Sequence, residues 1–361
     1  MQIPTRQEVI KLEKHNNKKI VAVLPIYYPR PLLRAFDFHP MEIWGITEID
    51  HSIGKRHFQA YTCAVALTAT SFILGQQGQD LIDLLLMPHT CDTLQGMGSV
   101  FKDFIRPKQP ILTFYAPKNK GDIARQFIIE ELKRLTKELE KITGLILDEE
   151  KLLKEIYLEE QLHFTYKEIS QNRHNYALSD REFYTFLRSW EYLPIETFLS
   201  LAKELPVGHH EPKEVKLLLS GIVPEPMELF DHINEMGASV VADDLACCSR
   251  RIFHELSHHD DENQPFERLA TMLMNVRPAP TLGTPILDRV EYLKEKMQQN
   301  QAQGFLMYDI KFCEPELFDL PILRKKLLEA GYSFLHVESE LDKNISHQNL
   351  TRIEAFVESL S

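Results

Sequence analysis

Apolar and polar positions follow two different patterns in the first third of the chain. Short, nearly continuous apolar runs, such as IVAVLPIY at 20–27, are typical of strands buried on both faces of a sheet. Strands are predicted at 20–27, 81–87 and 111–115, helices at 61–74 and 93–104, and a further short apolar run lies at 41–46. Strands that alternate with helices indicate a parallel sheet with right-handed crossovers.

The same alternation returns after residue 214. Strands are predicted at 215–223, 238–242, 304–310 and 332–337, and helices at 226–236, 286–303, 316–330 and 347–359. Gly237 and Gly331 follow two of these helices directly, as expected for residues that close a helix at its C-terminus. The second region therefore resembles the first, and we predict two similar α/β domains.

The strand pattern disappears between these two regions. Charged and apolar residues recur at helical spacing in FIIEELKRLTKELEKI (127–142) and LLKEIYLEEQL (152–162), which indicates amphipathic helices. The stretch LPVGHHEPK (205–213) is the clearest linker. The sequence thus predicts an α/β protein with two Rossmann- or flavodoxin-like parallel-sheet domains, at residues 1–121 and 214–361, and a helical segment at 122–205.

Composition and charge restrict the partners of the protein more than its fold. Hydrophobic residues make up 43% of the 361 residues, and the net charge of −12 disfavours nucleic acid or an anionic membrane as a partner. No run reaches the roughly 18 apolar residues of a membrane span, and the N-terminal residues lack the apolar core of a signal peptide. We expect a cytoplasmic protein whose five cysteines stay reduced.

Three of the five cysteines share one kind of position. Cys91 and Cys313 each follow a predicted strand and precede a predicted helix, and Cys63 lies at the start of the helix at 61–74. Ligands of open parallel sheets bind at the carboxyl ends of the strands. Unpaired N–H groups at a helix start also stabilise an anion, so we expect three thiolates with lowered pKa values. A buried, inert thiol is the alternative for each cysteine taken alone.

The spacing of the cysteines limits what they can bind. They are far apart in sequence and the chain has no CxxC, which excludes zinc ribbons and ferredoxin-type motifs built from one local segment. Cysteines from two domains can still converge on the cleft between them and hold a cluster there. The remaining two, Cys247 and Cys248 in ADDLACCSRR, also follow a predicted strand and have two arginines nearby.

Other motifs support weaker hypotheses. The chain has no GxxxxGK[ST], GxGxxG or GxSxG motif, which excludes ATP binding through those loops and an α/β-hydrolase elbow. The histidine pair at 209–210 and the HHDD run at 258–261 are candidate metal ligands, although a solvated surface is the preferred interpretation. For the aspartate pair at 243–244, helix capping or pairing with Arg250 or Arg251 is preferred over acid–base chemistry.

Five segments together resemble the 2-hydroxyacyl-CoA dehydratase D-component family, which also contains the two cluster-bearing subunits of ATP-dependent benzoyl-CoA reductase. The segments are YYPRPLLRAFDFHPMEIWG (27–45), HFQAYTCAVALTATSFIL (57–74), DLLLMPHTCDTLQGMGSVFKDF (83–104), EMGASVVADDLACCSRR (235–251) and FLMYDIKFCEPELFDLPILRKKLLEAGYSFLHVE (305–338). They span most of the chain outside the helical segment. The three cysteine contexts occur in the order typical of the family.

The resemblance implies a [4Fe–4S] cluster at the domain interface, held by Cys63, Cys91 and Cys313, with Cys247 or Cys248 as the candidate fourth ligand. It implies one subunit of an acyl-CoA dehydratase (a lyase) or reductase of anaerobic metabolism. A separate ATP-dependent activator would deliver low-potential electrons, and the partner would be a homologous second subunit or a second copy of this chain. One such electron makes a ketyl radical anion of a 2-hydroxyacyl-CoA, which expels the hydroxyl and acidifies the β-proton.

Two departures from the family pattern leave the role of the chain open. The first segment reads PRPLLRAFDFHP, where the family usually has a Pro-Glu-Leu/Ile motif and an Ala-Gly turn, and Ser249 replaces a common glycine. The chain length matches the smaller subunit, whose cluster relays electrons to a partner. The alternatives are a non-catalytic single-cluster electron-transfer or cluster-assembly protein of the same superfamily, and an α/β binding protein with buried cysteines.

Overall fold

The computed structural model of the protein describes residues 2–24, 27–46, 49–118, 120–253, 264–341 and 343–361. Within these residues, two parallel sheets of four strands each make up the framework. The strands are β1 (Lys19–Val23), β2 (Phe38–Glu42), β3 (Leu84–His89), β4 (Ile111–Tyr115), β5 (Val215–Gly221), β6 (Ala238–Leu245), β7 (Gly304–Ile310) and β8 (Ser333–Ser339).

Helices connect the strands and form the segment between the two sheets. They are α1 (Arg6–His15), α2 (Arg30–Ala35), α3 (Ser52–His57), α4 (Ala64–Leu74), α5 (Gln76–Gln79), α6 (Asp92–Val100), α7 (Asp122–Thr143), α8 (Glu149–Gln171), α9 (Asp180–Ser189), α10 (Ile195–Lys203), α11 (Glu228–Glu235), α12 (Pro265–Met274), α13 (Ile286–Gln299), α14 (Glu314–Glu329) and α15 (His347–Glu358). A π-helical turn, Phe101–Ile105, extends α6. None of the helices described has the length and apolar character needed to cross a membrane.

The two sheets have the same topology, which confirms the prediction of two parallel sheets, and the division into domains at 1–121 and 214–361 stays a prediction. Their strand orders are β2-β1-β3-β4 and β6-β5-β7-β8, so the strand order reverses between β1 and β3 and between β5 and β7. These switch points open a crevice at the carboxyl ends of the strands, where ligands of such sheets bind. At the second one, Gly221 comes so close to β7 that an added Cβ would lie 2.0 Å from the carbonyl oxygen of Tyr308.

The predicted elements are present, with shifts at their ends. The predicted strand at 20–27 ends at Val23 in the structure, and Tyr27 has the left-handed backbone angle φ +62°. The predicted strand at 81–87 begins only at Leu84. The carboxylate of Asp83, the residue before it, accepts a hydrogen bond from the backbone N–H of Ile20 in β1. Helices α1, α2, α3 and α12 were not predicted, although the Thr5 capping box before α1 is a readable signal.

The helical segment binds both sheets. On the first side, Arg34 of α2 donates to Glu155 and Glu159 of α8, each at 2.7 Å. On the second side, the buried carboxylate of Asp180, the first residue of α9, accepts the backbone N–H of Val240 in β6 at 3.0 Å. Helix α9 thus accepts a hydrogen bond from a backbone N–H of the edge strand β6. The helical segment is therefore bonded to elements on both of its sides.

A buried carboxylate joins the two domains directly. Glu42, the last residue of β2, is completely buried and accepts hydrogen bonds from Arg30 at 3.0 Å and Trp44 at 3.0 Å within its own domain. Both terminal nitrogens of Arg251, which follows β6 in the second domain, also donate to it. Burial opposes ionisation, but Arg251 and Arg30 together hold the pKa of Glu42 below its usual range.

The turn after Glu42 brings the two domains into close contact. Gly45 has φ +55°, and an added Cβ would lie 2.6 Å from the Val223 side chain and 3.0 Å from Arg188. Both neighbours lie outside the first sheet, after β5 and in α9 respectively. A residue with a side chain would therefore separate the surfaces that Glu42 and Arg251 hold together.

We predict that Glu42→Gln lowers the free energy of unfolding by about 3–5 kcal/mol, because it leaves the buried guanidinium of Arg251 without its counter-charge, whereas Arg30 keeps Glu159 at 3.9 Å. Urea denaturation followed by circular dichroism measures this change. Glu329→Gln removes a surface ion pair with Lys326 and is the control, for which no measurable change is expected. Equal stability of both variants would contradict the role assigned to Glu42.

Candidate functional site

Three cysteines begin three helices at the carboxyl ends of the strands. Cys63 is the N-cap residue of α4, Cys91 of α6 and Cys313 of α14. Cys91 follows β3 and Cys313 follows β7, so each stands at the switch point of its own sheet. Cys63 precedes the helix that leads into β3. The sequence prediction of their positions along the chain is therefore confirmed.

The fold brings these three cysteines into one region although they come from different domains. Burial is the largest influence on each thiol, but the charge of Cys91 also raises the pKa of Cys63, and that of Cys63 raises the pKa of Cys313. Glu314, next to Cys313, likewise raises the pKa of Cys91. Each cysteine is therefore close enough to the next for a charge on one to affect the other, and we refer to Cys63, Cys91 and Cys313 together as the cysteine corner.

Backbone N–H groups at the starts of the three helices favour the thiolate forms of the cysteines, although none of the three sulfurs accepts a helix-capping hydrogen bond. The donors are the N–H groups of Val65 and Ala66 for Cys63, of Thr93 and Leu94 for Cys91, and of Glu316 for Cys313. These are the second and third residues of each helix, whose N–H groups have no partner within the helix. The helix starts thus act on the thiols in the way that the sequence predicted.

Their effect is nevertheless too weak, and the prediction of lowered pKa values is wrong for the thiols alone. Burial raises the pKa of Cys63 to about 12 and raises those of Cys91 and Cys313 as well. Removal of water disfavours a thiolate more than a few N–H groups stabilise it. Without a bound cation, the three side chains are therefore neutral thiols at pH 7.

The three cysteines do not form a binding site for a single metal ion in the structure. Among the residues that the structure describes, no group of three or more His, Cys, Asp or Glu side chains is arranged to hold one ion. In a cluster, each cysteine binds a different iron, so the sulfurs lie farther apart than the ligands of one ion. Three partly buried thiols with N–H donors beside them suit this arrangement, because a metal cation displaces the thiol proton.

Two buried acids beside the cysteines were not predicted from the sequence. Asp309 in β7 is fully buried and acts on the thiols of Cys63 and Cys313, and burial raises its own pKa to about 6. Glu316, on the first turn of α14, is also fully buried. Asp309 could have been singled out in the sequence, because it is the only acidic residue in the otherwise apolar strand GFLMYDI.

A network of ion pairs fixes the start of α14, and hence Cys313. Arg289 of α13 donates to Glu316 at 2.9 Å and to Asp244 at 3.0 Å, and Arg250 also donates to both carboxylates. Burial opposes ionisation of Asp244, but the two arginines lower its pKa to about 2. The preferred interpretation of the aspartate pair at 243–244 is confirmed, since Asp244 pairs with Arg250.

Cys247 and Cys248 lie in the core beside the helical segment. Both are completely buried and their sulfurs are 3.5 Å apart. The charges of Cys248 and Cys247 act on Tyr166 of α8, and that of Cys247 acts on Arg188 of α9. Their neighbours thus come from the helical segment, and a role as the fourth ligand of the cysteine corner stays a prediction.

The histidine candidates have structural partners or lie outside the described residues. His210 is 3.1 Å from a terminal nitrogen of Arg173 and 3.6 Å from Asp180, which places it in the contact between linker and helical segment. The HHDD run at 258–261 lies outside the described residues. His89, two residues before Cys91, packs edge-on against Tyr115 with ring centres 4.2 Å apart.

Comparison with known families identifies the family of the chain. Residues 25–360 match the family described as 2-hydroxyglutaryl-CoA dehydratase, D-component. The chain belongs to this family. The resemblance identified from the five sequence segments is thereby confirmed, and the match includes the helical segment, the second sheet and every strand of the first sheet except β1.

Curated members of the D-component family match nearly the whole chain. The beta subunit of (R)-phenyllactyl-CoA dehydratase from Clostridium sporogenes is 26% identical over 98% of this chain and 95% of its own length. The beta subunit of lactoyl-CoA dehydratase from Anaerotignum propionicum is 26% identical over 95% and 92%. A subunit of benzoyl-CoA reductase from Thauera aromatica is 23% identical over 90% and 86%. These relatives are subunits of acyl-CoA dehydratases and of a reductase.

The raised pKa values predict the reactivity of the thiols in metal-free protein. We expect alkylation of Cys63, Cys91 and Cys313 by iodoacetamide to accelerate from about pH 7 to about pH 9 without a plateau, because the thiols stay protonated below their pKa values. Mass spectrometry of each cysteine peptide measures the rates, with a short cysteine peptide as the control. A plateau near neutral pH would show that the helix starts outweigh burial.

Proposed function

We propose that this chain is the [4Fe–4S]-carrying subunit of an acyl-CoA dehydratase or of a benzoyl-CoA reductase-type enzyme, and that Cys63, Cys91 and Cys313 hold the cluster. The observation that supports the proposal is that three cysteines, each the N-cap of a helix, influence one another electrostatically although they belong to both sheets. Family membership supports the choice of cofactor and of the acyl-CoA substrate class.

A bound [4Fe–4S] cluster supplies one-electron transfer at low potential. The protein residues set the conditions for that transfer. N–H groups at the starts of α4, α6 and α14 stabilise negative charge on the sulfurs, whereas the buried carboxyl of Asp309 opposes it when ionised.

The chain would act together with a homologous subunit. Two of the relatives are named as beta subunits, so we propose a cytoplasmic assembly in which this chain relays electrons to a partner that binds the acyl-CoA. An ATP-hydrolysing activator, as a separate protein, would supply the electrons. This agrees with the lack of a GxxxxGK[ST] motif in the sequence.

The ligand assignment predicts the iron content of cysteine variants. Protein reconstituted without oxygen should bind about four irons and show broad visible absorbance. Cys91→Ser should lose most of this iron and absorbance. Cys248→Ala tests the candidate fourth ligand separately: loss of iron would assign Cys248 to the cluster, and retained iron would leave it a core residue beside Tyr166. Iron-free protein after reconstitution, or unchanged iron in Cys91→Ser, would refute the assignment.

A second prediction separates a catalytic assembly from an electron carrier. With a homologous second subunit, an ATP-hydrolysing activator and a reductant, the reconstituted protein should support turnover of an acyl-CoA. Cys313→Ser should abolish this turnover while the assembly still forms, which gel filtration tests. A loaded cluster without turnover of any 2-hydroxyacyl-CoA or aromatic acyl-CoA would instead indicate a non-catalytic electron-transfer or cluster-assembly protein.

A further inference from the structure

A polar cavity lies at a different place, between the helical segment and the second domain. Its volume is about 380 Å³, within the range of pockets that hold small ligands. The walls come from α8, α9, β6 and α13, together with Arg277 in the connection between α12 and α13. None of the three corner cysteines lines this cavity, and only its link to coenzyme A, considered below, rests on the proposed function.

Positive charge predominates in this cavity. The four cationic side chains that line it are Lys167, Arg173, Arg277 and Lys296, whereas the carboxylates are Asp243 and Glu295. The carboxylate of Asp243 already accepts the backbone N–H groups of Leu245 and Ser249, at 3.1 and 2.9 Å. Glu295 is exposed to solvent. Arg173 pairs with the buried carboxylate of Asp180 at 3.4 Å, so Arg277 and Lys296 are the cations on which attraction of an anionic ligand depends.

Lys296 is a fixed charge in the wall of the cavity. Its ammonium group donates to the hydroxyl of Ser249 at 2.7 Å, to that of Tyr292 at 3.2 Å, and to the backbone carbonyl of Asp243. These three acceptors are neutral oxygens, so they hold the ammonium in place without neutralising it. A fixed cation of this kind attracts an anion without the entropic cost of ordering a free lysine.

The N–H donors of the Arg277 guanidinium are available to a ligand. Its guanidinium lies 5.4 Å from the ring centre of Tyr292, and among the described residues it makes no hydrogen bond and no ion pair. The side chain is partly buried. A planar guanidinium offers five N–H donors in a fork that matches two oxygens of a phosphate or carboxylate. The Tyr292 ring keeps this fork in position over the cavity wall.

We propose that this cavity binds a phosphate-bearing small molecule of up to nucleotide size, with Arg277 as its bidentate partner and Lys296 as a fixed counter-charge. Several cations around one cavity match the multiple charges of a phosphate better than the single charge of a carboxylate. The cavity also exceeds what one inorganic phosphate would fill. A free nucleotide and the phosphates of coenzyme A are the two sources of this chemistry.

Isothermal titration calorimetry of the full chain at low salt, with pyrophosphate, ADP and coenzyme A as separate probes, tests the proposal. We expect at least one probe to bind, with an affinity that falls as salt is added. ADP without coenzyme A would identify a free nucleotide as the source, and the reverse result would identify coenzyme A. Arg277→Gln should weaken binding about tenfold or more, and Arg277→Lys should weaken it less.

Lys294→Gln is the matched control, because Lys294 lies on the same helix as Lys296, pairs with Glu291 and does not line the cavity. Its affinity should stay within about twofold of the unchanged chain. Thermal denaturation checks that Arg277→Gln is folded, as expected for a side chain held by one ring contact. No binding of any phosphate probe, equal affinity of Arg277→Gln, or equally tight binding of succinate would overturn the proposal.

Discussion

The arrangement of the two domains depends on the buried carboxylate of Glu42. It ends an edge strand of the first sheet and receives Arg30 from its own domain and Arg251 from the other. A buried ion pair adds little net stability, since desolvation offsets most of its Coulomb energy. The ion pair nevertheless disfavours any other arrangement of the two domains, because separating Glu42 from Arg251 would leave a charge unpaired in the core. Glu42 therefore specifies how the domains meet, and the close approach at Gly45 follows from that geometry.

Two adjacent arginines, Arg250 and Arg251, form ion pairs on opposite sides of the contact between the domains. Arg251 reaches across to Glu42 in the first domain, whereas Arg250 turns back to Asp244 and Glu316 in its own. The second network fixes the first turn of α14, where Cys313 begins the helix. The first network sets the position of the domain that carries Cys63 and Cys91. Residues 250–251 thus couple the domain arrangement to the geometry of the cysteine corner.

The cysteine corner shows two opposing effects on one group. Helix starts favour an anion, and burial disfavours it. For Cys63, burial is the larger effect and raises the pKa of the thiol to about 12. A site of this kind holds protons when it is empty and exchanges them for metal, so its affinity for metal depends on pH. The same N–H groups that fail to ionise the thiol remain available to a metal-bound sulfur.

The sequence by itself determined the two parallel sheets, the helical segment and the helix-starting positions of Cys63, Cys91 and Cys313. These features follow from local periodicity and from the order of strands and helices. Both can be recognised in each segment of the sequence by itself. Only the tertiary structure decided that the three thiols share a corner, that Asp309 and Glu316 lie beside them, and that Cys248 packs against Tyr166. Burial and long-range charge pairing depend on which segments meet in space. The pKa values of the thiols depend on both, which is why the sequence predicted them in the wrong direction.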